Sequence, residues 1–228
     1  MIFNENFAVM SKNKHLIISG AIFTAVLFVW PVFMALWGPK GDIQQQLEWV
    51  SNNRGKVFWQ YFLAFLIAPS IIYMMISQLY QFTEDAFRIR LGLIFIAVYA
   101  VLNSIAYASQ IFLVPRLIEH GLTDIAKTWY FFSPFSVSYF FNQMGYAFWA
   151  LGTMMMFYKY MSKKGMIQII SILYVFSAVL SFVAFAGLAV ENQTINSMTL
   201  YSGLVLAPVG ILSIIWGMKN RKNNPENV

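Results

Sequence analysis

Residues 166–190 read MIQIISILYVFSAVLSFVAFAGLAV, an apolar run from Met166 to Val190 without one charged side chain. A soluble helix of this length would carry a polar face, and a barrel strand would need about half the length and would alternate. The run matches the ~20 residues with which an α-helix crosses roughly 30 Å of hydrocarbon. Five more runs share its character: His15 to Trp37, Val57 to Tyr80, Leu91 to Val114, Phe135 to Tyr158 and Leu200 to Met218. All nine acidic residues fall outside them. Because a segment in lipid must satisfy its backbone internally, the sequence predicts an all-α polytopic integral membrane protein. Six transmembrane helices are expected, in a single domain over residues 1–228.

Composition agrees. With 59% hydrophobic and 11% charged residues in 228, and a mean hydropathy of +0.63, a soluble fold would leave much of its surface apolar. The chain has no cysteine, which removes disulfides, thiolate nucleophiles and iron–sulfur or zinc–thiolate sites. Lys12 and Lys14 precede the first run as in a signal peptide. That run is too long for a signal h-region and no small-residue cleavage pattern follows, so a retained first span is expected.

The cations set the expected orientation. With the N-terminus inside, the inner segments hold ten: Lys12, Lys14, Arg88, Arg90, Lys159, Lys163, Lys164, Lys219, Arg221 and Lys222. The outer loops hold five: Lys40, Arg54, Lys56, Arg116 and Lys127. This bias predicts both termini in the cytoplasm. It also accounts for the net charge of +6 by topology and anionic lipid, so nucleic acid is not an expected partner. The compact helical chain with short loops points to a bacterial inner membrane.

The two ends of the bundle differ in their connections. Gln81 to Arg90 and Lys159 to Gly165 are tight inner turns, whereas Gly38 to Lys56 and Pro115 to Pro134 are long enough to hold structure. In the first long loop, Asp42 is placed to cap a short helix whose Ile43, Leu47 and Val50 form a stripe suited to the membrane surface. In the second, Pro115 is expected to end the third span and Thr123 or Asp124 to cap another short helix. Trp129, Tyr130, Phe131, Phe132, Phe135, Tyr139, Phe140 and Phe141 crowd the outer end of the fourth span, as an interfacial belt or a lid over a ligand.

Small residues mark expected helix contacts. Gly203, Ala207, Gly210 and Gly217 form one stripe on the sixth span, and Ser177 with Ser181 a shorter one on the fifth. Pro31, Pro69 and Pro208 lie within spans and are expected to kink them. Inverted halves of three spans would place these prolines in corresponding positions, and they are not so placed.

Neutral polar groups at matching depth are the most function-like feature. Asn103, Tyr107 and Gln110 lie at i, i+4 and i+7 on the third span. Asn142, Tyr146 and Trp149 do the same on the fourth, with Gln143 beside them, and Gln60 and Tyr61 begin the second. A buried amide is costly without a partner, so these groups are expected to face one another, a cavity or a ligand.

Several chemistries are excluded by what the runs lack. No carboxylate lies within any run, and the two histidines, His15 and His120, lie at a span end and in a loop. Proton coupling, a bis-histidine haem and a di-iron or copper centre are therefore not expected. No lysine stands mid-span for a Schiff base, and no phosphate loop, serine elbow or metalloprotease motif occurs. Arg116, Glu119, His120 and Asp124 form the one cluster with acid–base potential; Glu119 and His120 are adjacent, not helically paired, and a solvated charged face is expected.

The expected function is therefore a non-catalytic membrane protein with no metal and no cofactor. Gln60, Asn103, Tyr107, Gln110, Asn142, Gln143, Tyr146 and Trp149 would form an outward-facing polar and aromatic pocket for a small neutral or amphipathic ligand such as a lipid. Two alternatives use the same residues. In an accessory subunit of a larger membrane complex, or in a homo-oligomer, the amides are interhelical glue; in a facilitative small-molecule transporter, they line the path.

Overall fold

The computed structural model describes residues 2–81, 86–133 and 135–222, and every element among them is helical. Six long helices dominate: α1 (Ile2–Trp37), α3 (Arg54–Leu79), α4 (Ala86–Ala108), α7 (Val137–Phe157), α8 (Met166–Ala189) and α10 (Met198–Lys222). Short helices α2 (Ile43–Asn52), α5 (Val114–Glu119), α6 (Thr123–Trp129) and α9 (Gln193–Asn196) gather at one end, termed here the loop-rich end. The middle of the first tight turn, residues 82–85, and Pro134 of the second long loop lie outside the described residues.

Among the described residues, five helical stretches are long and apolar enough to cross a membrane: Lys12–Trp37, Arg54–Leu79, Phe87–Glu119, Met166–Ala189 and Gln193–Arg221. The chain is a multi-pass helical membrane protein. The remaining run is helical too, as α7, but its 21 residues include Asn142, Gln143, Tyr146 and Trp149 and fall short of the apolarity of the other five.

The long helices close into a ring in which α1 packs on α3, α3 on α4, α4 on α7, α7 on α8, α8 on α10, and α10 again on α1. Each neighbour runs antiparallel to the next. All six contribute to one interior cluster, with Phe23, Met74, Tyr99, Trp149, Tyr174 and Val209 among its buried members. Outward faces are apolar, for example Phe28, Val32 and Leu36 on α1 and Phe176 and Phe182 on α8, as contact with lipid tails requires.

Glycine pairs set the closest seams. A Cβ on Gly20 would lie 2.7 Å from the Gly210 carbonyl oxygen, and one on Gly210 would collide with Thr24. Gly217 likewise abuts α1 at Asn13 and Ile17. A Cβ on Gly203, placed on the same stripe by spacing, would meet nothing within 4 Å, so Gly203 does not belong to the seam. A second seam joins α4 to α7, where a Cβ on Gly92 would lie 2.9 Å from the Gly152 carbonyl oxygen and one on Gly152 2.7 Å from that of Gly92. Glycine permits such backbone contact because it has no side chain to fit between the helices.

Three local expectations are corrected. Pro115 does not end its helix. Residues Ser109–Leu113 form a π turn, with Val114 N–H bonded to the Ser109 carbonyl, and the chain stays helical to Glu119. The wider turn absorbs the donor that proline lacks. Neither Thr123 nor Asp124 caps α6; Leu122 occupies the cap position with no side-chain bond, and Asp124 sits in the first turn, where its charge suits the helix dipole. Asp42 does cap α2, in a reciprocal capping box with Gln45, but the stripe beneath it faces protein and not membrane. Leu47 and Val50 are buried against Tyr61, Tyr107, Val114 and Tyr130 in a second cluster that plugs the loop-rich end.

Candidate functional site

Seven of the eight expected site residues are almost fully buried, between 0% exposed at Gln60 and 6% at Tyr107, and Tyr146 is partly buried. They do not form one group. Gln110 turns toward the loop: its Nε2 donates to the Trp129 carbonyl at 2.8 Å and to Ser138 Oγ at 2.9 Å, and its Oε1 accepts from Phe131 N–H at 2.9 Å. Gln143 turns toward α10, accepting from Thr199 Oγ1 at 2.8 Å. Gln60 reaches α1 through the Phe33 carbonyl at 3.4 Å, leaving its Oε1 without a partner. These three glutamines act as links between elements.

The other five converge on the α4–α7 seam. The register is fixed by Ser109 with Ser138 at 2.7 Å, by Asn103 against Gly145, and by Gly92 with Gly152. Between the first two pairings Asn142 falls opposite Ala106, one turn from Asn103 in the antiparallel sense. Asn103 Nδ2 donates only to its own helix, at the Tyr99 carbonyl, and Asn103 Oδ1, Asn142 Oδ1 and Trp149 Nε1 have no hydrogen-bond partner. The Tyr107 and Tyr146 hydroxyls lie beside each other. Tyr146 lies 5.7 Å from the Tyr99 ring, and Tyr99 lies 6.5 Å from Trp149.

Part of the aromatic crowd covers this seam. Phe131 stacks on Tyr107 at 6.0 Å and meets Tyr61 at 6.3 Å and Tyr139 at 5.4 Å, edge-on to the last. Tyr130 is buried and bonds Gln46 of α2 at 2.9 Å, and burial raises its phenol above the ordinary pKa, so it remains a neutral donor. Phe132, Phe135 and Phe140 instead face outward. Phe135 is 91% exposed and holds a left-handed backbone at φ +57°, a conformation that bulky residues disfavour. An open depression of about 670 Å³ lies beside it, lined by Asp42, Ile43, Gln44, Lys127, Thr128 and Ser133.

The charged cluster resolves into exposed ion pairs. Glu119 meets Arg54 at 2.9 Å and Asp124 meets Lys127 at 3.3 Å. Arg54 thereby ties the start of α3 to the end of α5, a structural role.

Sequence reasoning missed a second polar centre toward the other end. Gln78 of α3 is fully buried and donates to Ser213 of α10 at 2.7 Å, with Tyr174 of α8 beside it. Gln78 lies two residues from the end of the Val57 to Tyr80 run. Thr153 was also missed, although it continues the Asn142, Tyr146, Trp149 spacing by one more turn. No family model, no curated protein and no solved structure matches this chain.

Proposed function

We propose that this is a six-span protein of a bacterial inner membrane, with both termini in the cytoplasm, that binds a small neutral or amphipathic molecule such as a lipid between α4 and α7 without transforming it. The sixth span is α7. It accompanies α4 from Gly152 at one end to Ser138 at the other, so a bilayer crossed by α4 is crossed by α7, and its polar residues are shielded by the ring. The loop-rich end faces outward, following the cation bias.

One observation carries the binding reading: Asn103 Oδ1, Asn142 Oδ1 and Trp149 Nε1 are buried on one seam without partners. Each such group is disfavoured by about 1–3 kcal/mol, and a ligand offering a donor to the amides and an acceptor to the indole would recover that. The set is neutral, which suits an uncharged or amphipathic molecule better than an ion. Binding is tested by native mass spectrometry of protein purified in mild detergent. Wild type is expected to carry a small molecule whose occupancy falls in Asn103→Leu and Asn142→Leu. Equal occupancy in both variants would sink the pocket.

A second reading, the accessory subunit, draws on a different observation. Gln110, Gln143 and Gln60 already bond within the chain as interhelical links, which is the arrangement expected of glue. A stoichiometric protein partner in the same purification, with no bound small molecule, would favour it.

A further inference from the structure

The orphaned polar atoms do not stop at the outer site. Along α7, Asn142, Trp149 and Thr153 share one stripe at the middle of the helix's buried face, and each has a side-chain polar atom with no partner. At about 1.5 Å per residue the stripe descends about 16 Å, roughly half the hydrocarbon thickness. Phe157, one turn further, stacks on Tyr174 at 4.3 Å, and the Tyr174 hydroxyl lies beside the Gln78 carboxamide. There Gln78 Oε1 and the Tyr174 hydroxyl are again buried and unpartnered, although Gln78 Nε2 is engaged by Ser213. Orphans thus recur from the outer half of the ring to its inner half on α3, α4, α7 and α8, and others lie away from this line, at Thr24 and Trp30 of α1 and Asn196 of α9.

Interhelical glue would be paired, as Gln110 and Gln143 are. A file of unpaired donors and acceptors through an apolar ring is what a hydrogen-bonding solute needs to shed water in steps. Aromatic contacts close both ends of the file: Phe131 on Tyr107 and Tyr61 above, Phe157 on Tyr174 below. None of the file's side chains is acidic, basic or histidine, so nothing in it would couple passage to protons.

We propose that this file is a conduction path, with Gln78, Tyr174 and Thr153 as an inner station, and that the protein equilibrates a small uncharged polyol- or amide-like solute across the membrane. The proposal rests on the outer site described above and extends it to a second site and to transport. Occluded at both ends, the path opens by movement of the aromatic contacts.

The full chain, reconstituted into phosphatidylethanolamine–phosphatidylglycerol vesicles, is assayed by stopped-flow light scattering with glycerol and with urea. At least one probe is expected to enter faster than in protein-free vesicles. Thr153→Val, which keeps shape, and Gln78→Met are expected to slow it about tenfold, the effect of one lost hydrogen bond at a barrier. Ser202→Ala, in a bonded cluster away from the file, is expected to leave flux unchanged. Wild-type flux at the protein-free rate for both probes, or undiminished flux in both file variants, would overturn the path. Binding is followed separately, as the Trp149 fluorescence change on adding the probe in detergent, with Trp149→Phe subtracted. A fluorescence response without flux would overturn conduction and leave the outer site standing; neither response would overturn both.

Discussion

Between α8 and α10, three serines close on one another. Ser202 lies 2.7 Å from Ser177 and 2.6 Å from Ser181, and each hydroxyl has a partner. Between α4 and α7, in the same ring, the amides of Asn103 and Asn142 are buried with one oxygen each unsatisfied. Hydroxyls are short and rotate to suit a neighbour, whereas an amide presents two fixed ends and needs partners on both. The first seam is complete as the chain folds. The second leaves polar atoms unsatisfied, which is why the proposed function is placed on it.

The contrast can be broken or sharpened by substitution. The largest effect is expected at the glycines of the closest seams, Gly210 between α1 and α10 and Gly152 between α4 and α7. Gly210→Leu and Gly152→Leu each drive a side chain into an opposing backbone and are expected to cost about 3 kcal/mol or more, read as a lowered melting temperature in detergent. Gly203→Leu, with open space around it, is the neutral control. Equal tolerance at all three would mean that the helices do not meet as described.

Next comes the glutamine clamp. Gln110→Leu removes bonds to Trp129, Phe131 and Ser138 at once and leaves buried partners unpaired, a loss of about 2 kcal/mol. Limited proteolysis between His120 and Ser133 is expected to accelerate; an unchanged cleavage rate would show that the loop holds itself.

The sharpest comparison is between the two seams directly. Ser202→Ala strips partners from two serines and is expected to destabilise by about 1 kcal/mol. Asn103→Leu removes an oxygen that had no partner and is expected to leave the ligand-free protein as stable as before, or more so. Should Asn103→Leu prove the more damaging in protein shown by mass spectrometry to be empty, the amide is structural and the seams are alike. Smallest of all is Arg54→Ala: its pair with Glu119 is about half exposed, so no shift in melting temperature is expected, only a faster exchange of backbone amides at Val114–Glu119.

Much of this was legible in the residues. Uncharged runs gave the long helices to within a few residues at most ends, since a helix in lipid is fixed by length and apolarity. The i, i+4, i+7 spacing of Asn103 and Asn142 with their tyrosines located the seam, because helices three and four are antiparallel neighbours. What was not legible depended on partners from distant helices. Gln143 reads as a companion of Asn142 and yet bonds Thr199, while Gln78, two residues from the end of its run, sits at the core with Ser213. Pro115 reads as a stop, and a π turn before it carries the helix onward. Spacing along one helix says which side chains share a face; it does not say which neighbour that face meets.

The ring has a consequence for how the chain is made. Helices enter a membrane in the order in which they are synthesised, and each seam from α1–α3 through α8–α10 joins a new helix to the one before it. The seam between α1 and α10 is different, because it waits for the final helix. Until α10 arrives, the Gly20 face of α1 and the Ser177 and Ser181 hydroxyls of α8 lie open to lipid, and the interior is a cleft and not a core. Gly20 and Gly210 therefore act as a clasp: of the six long helices α1 is made first and waits longest for its second neighbour, and the ring closes only when α10 meets it.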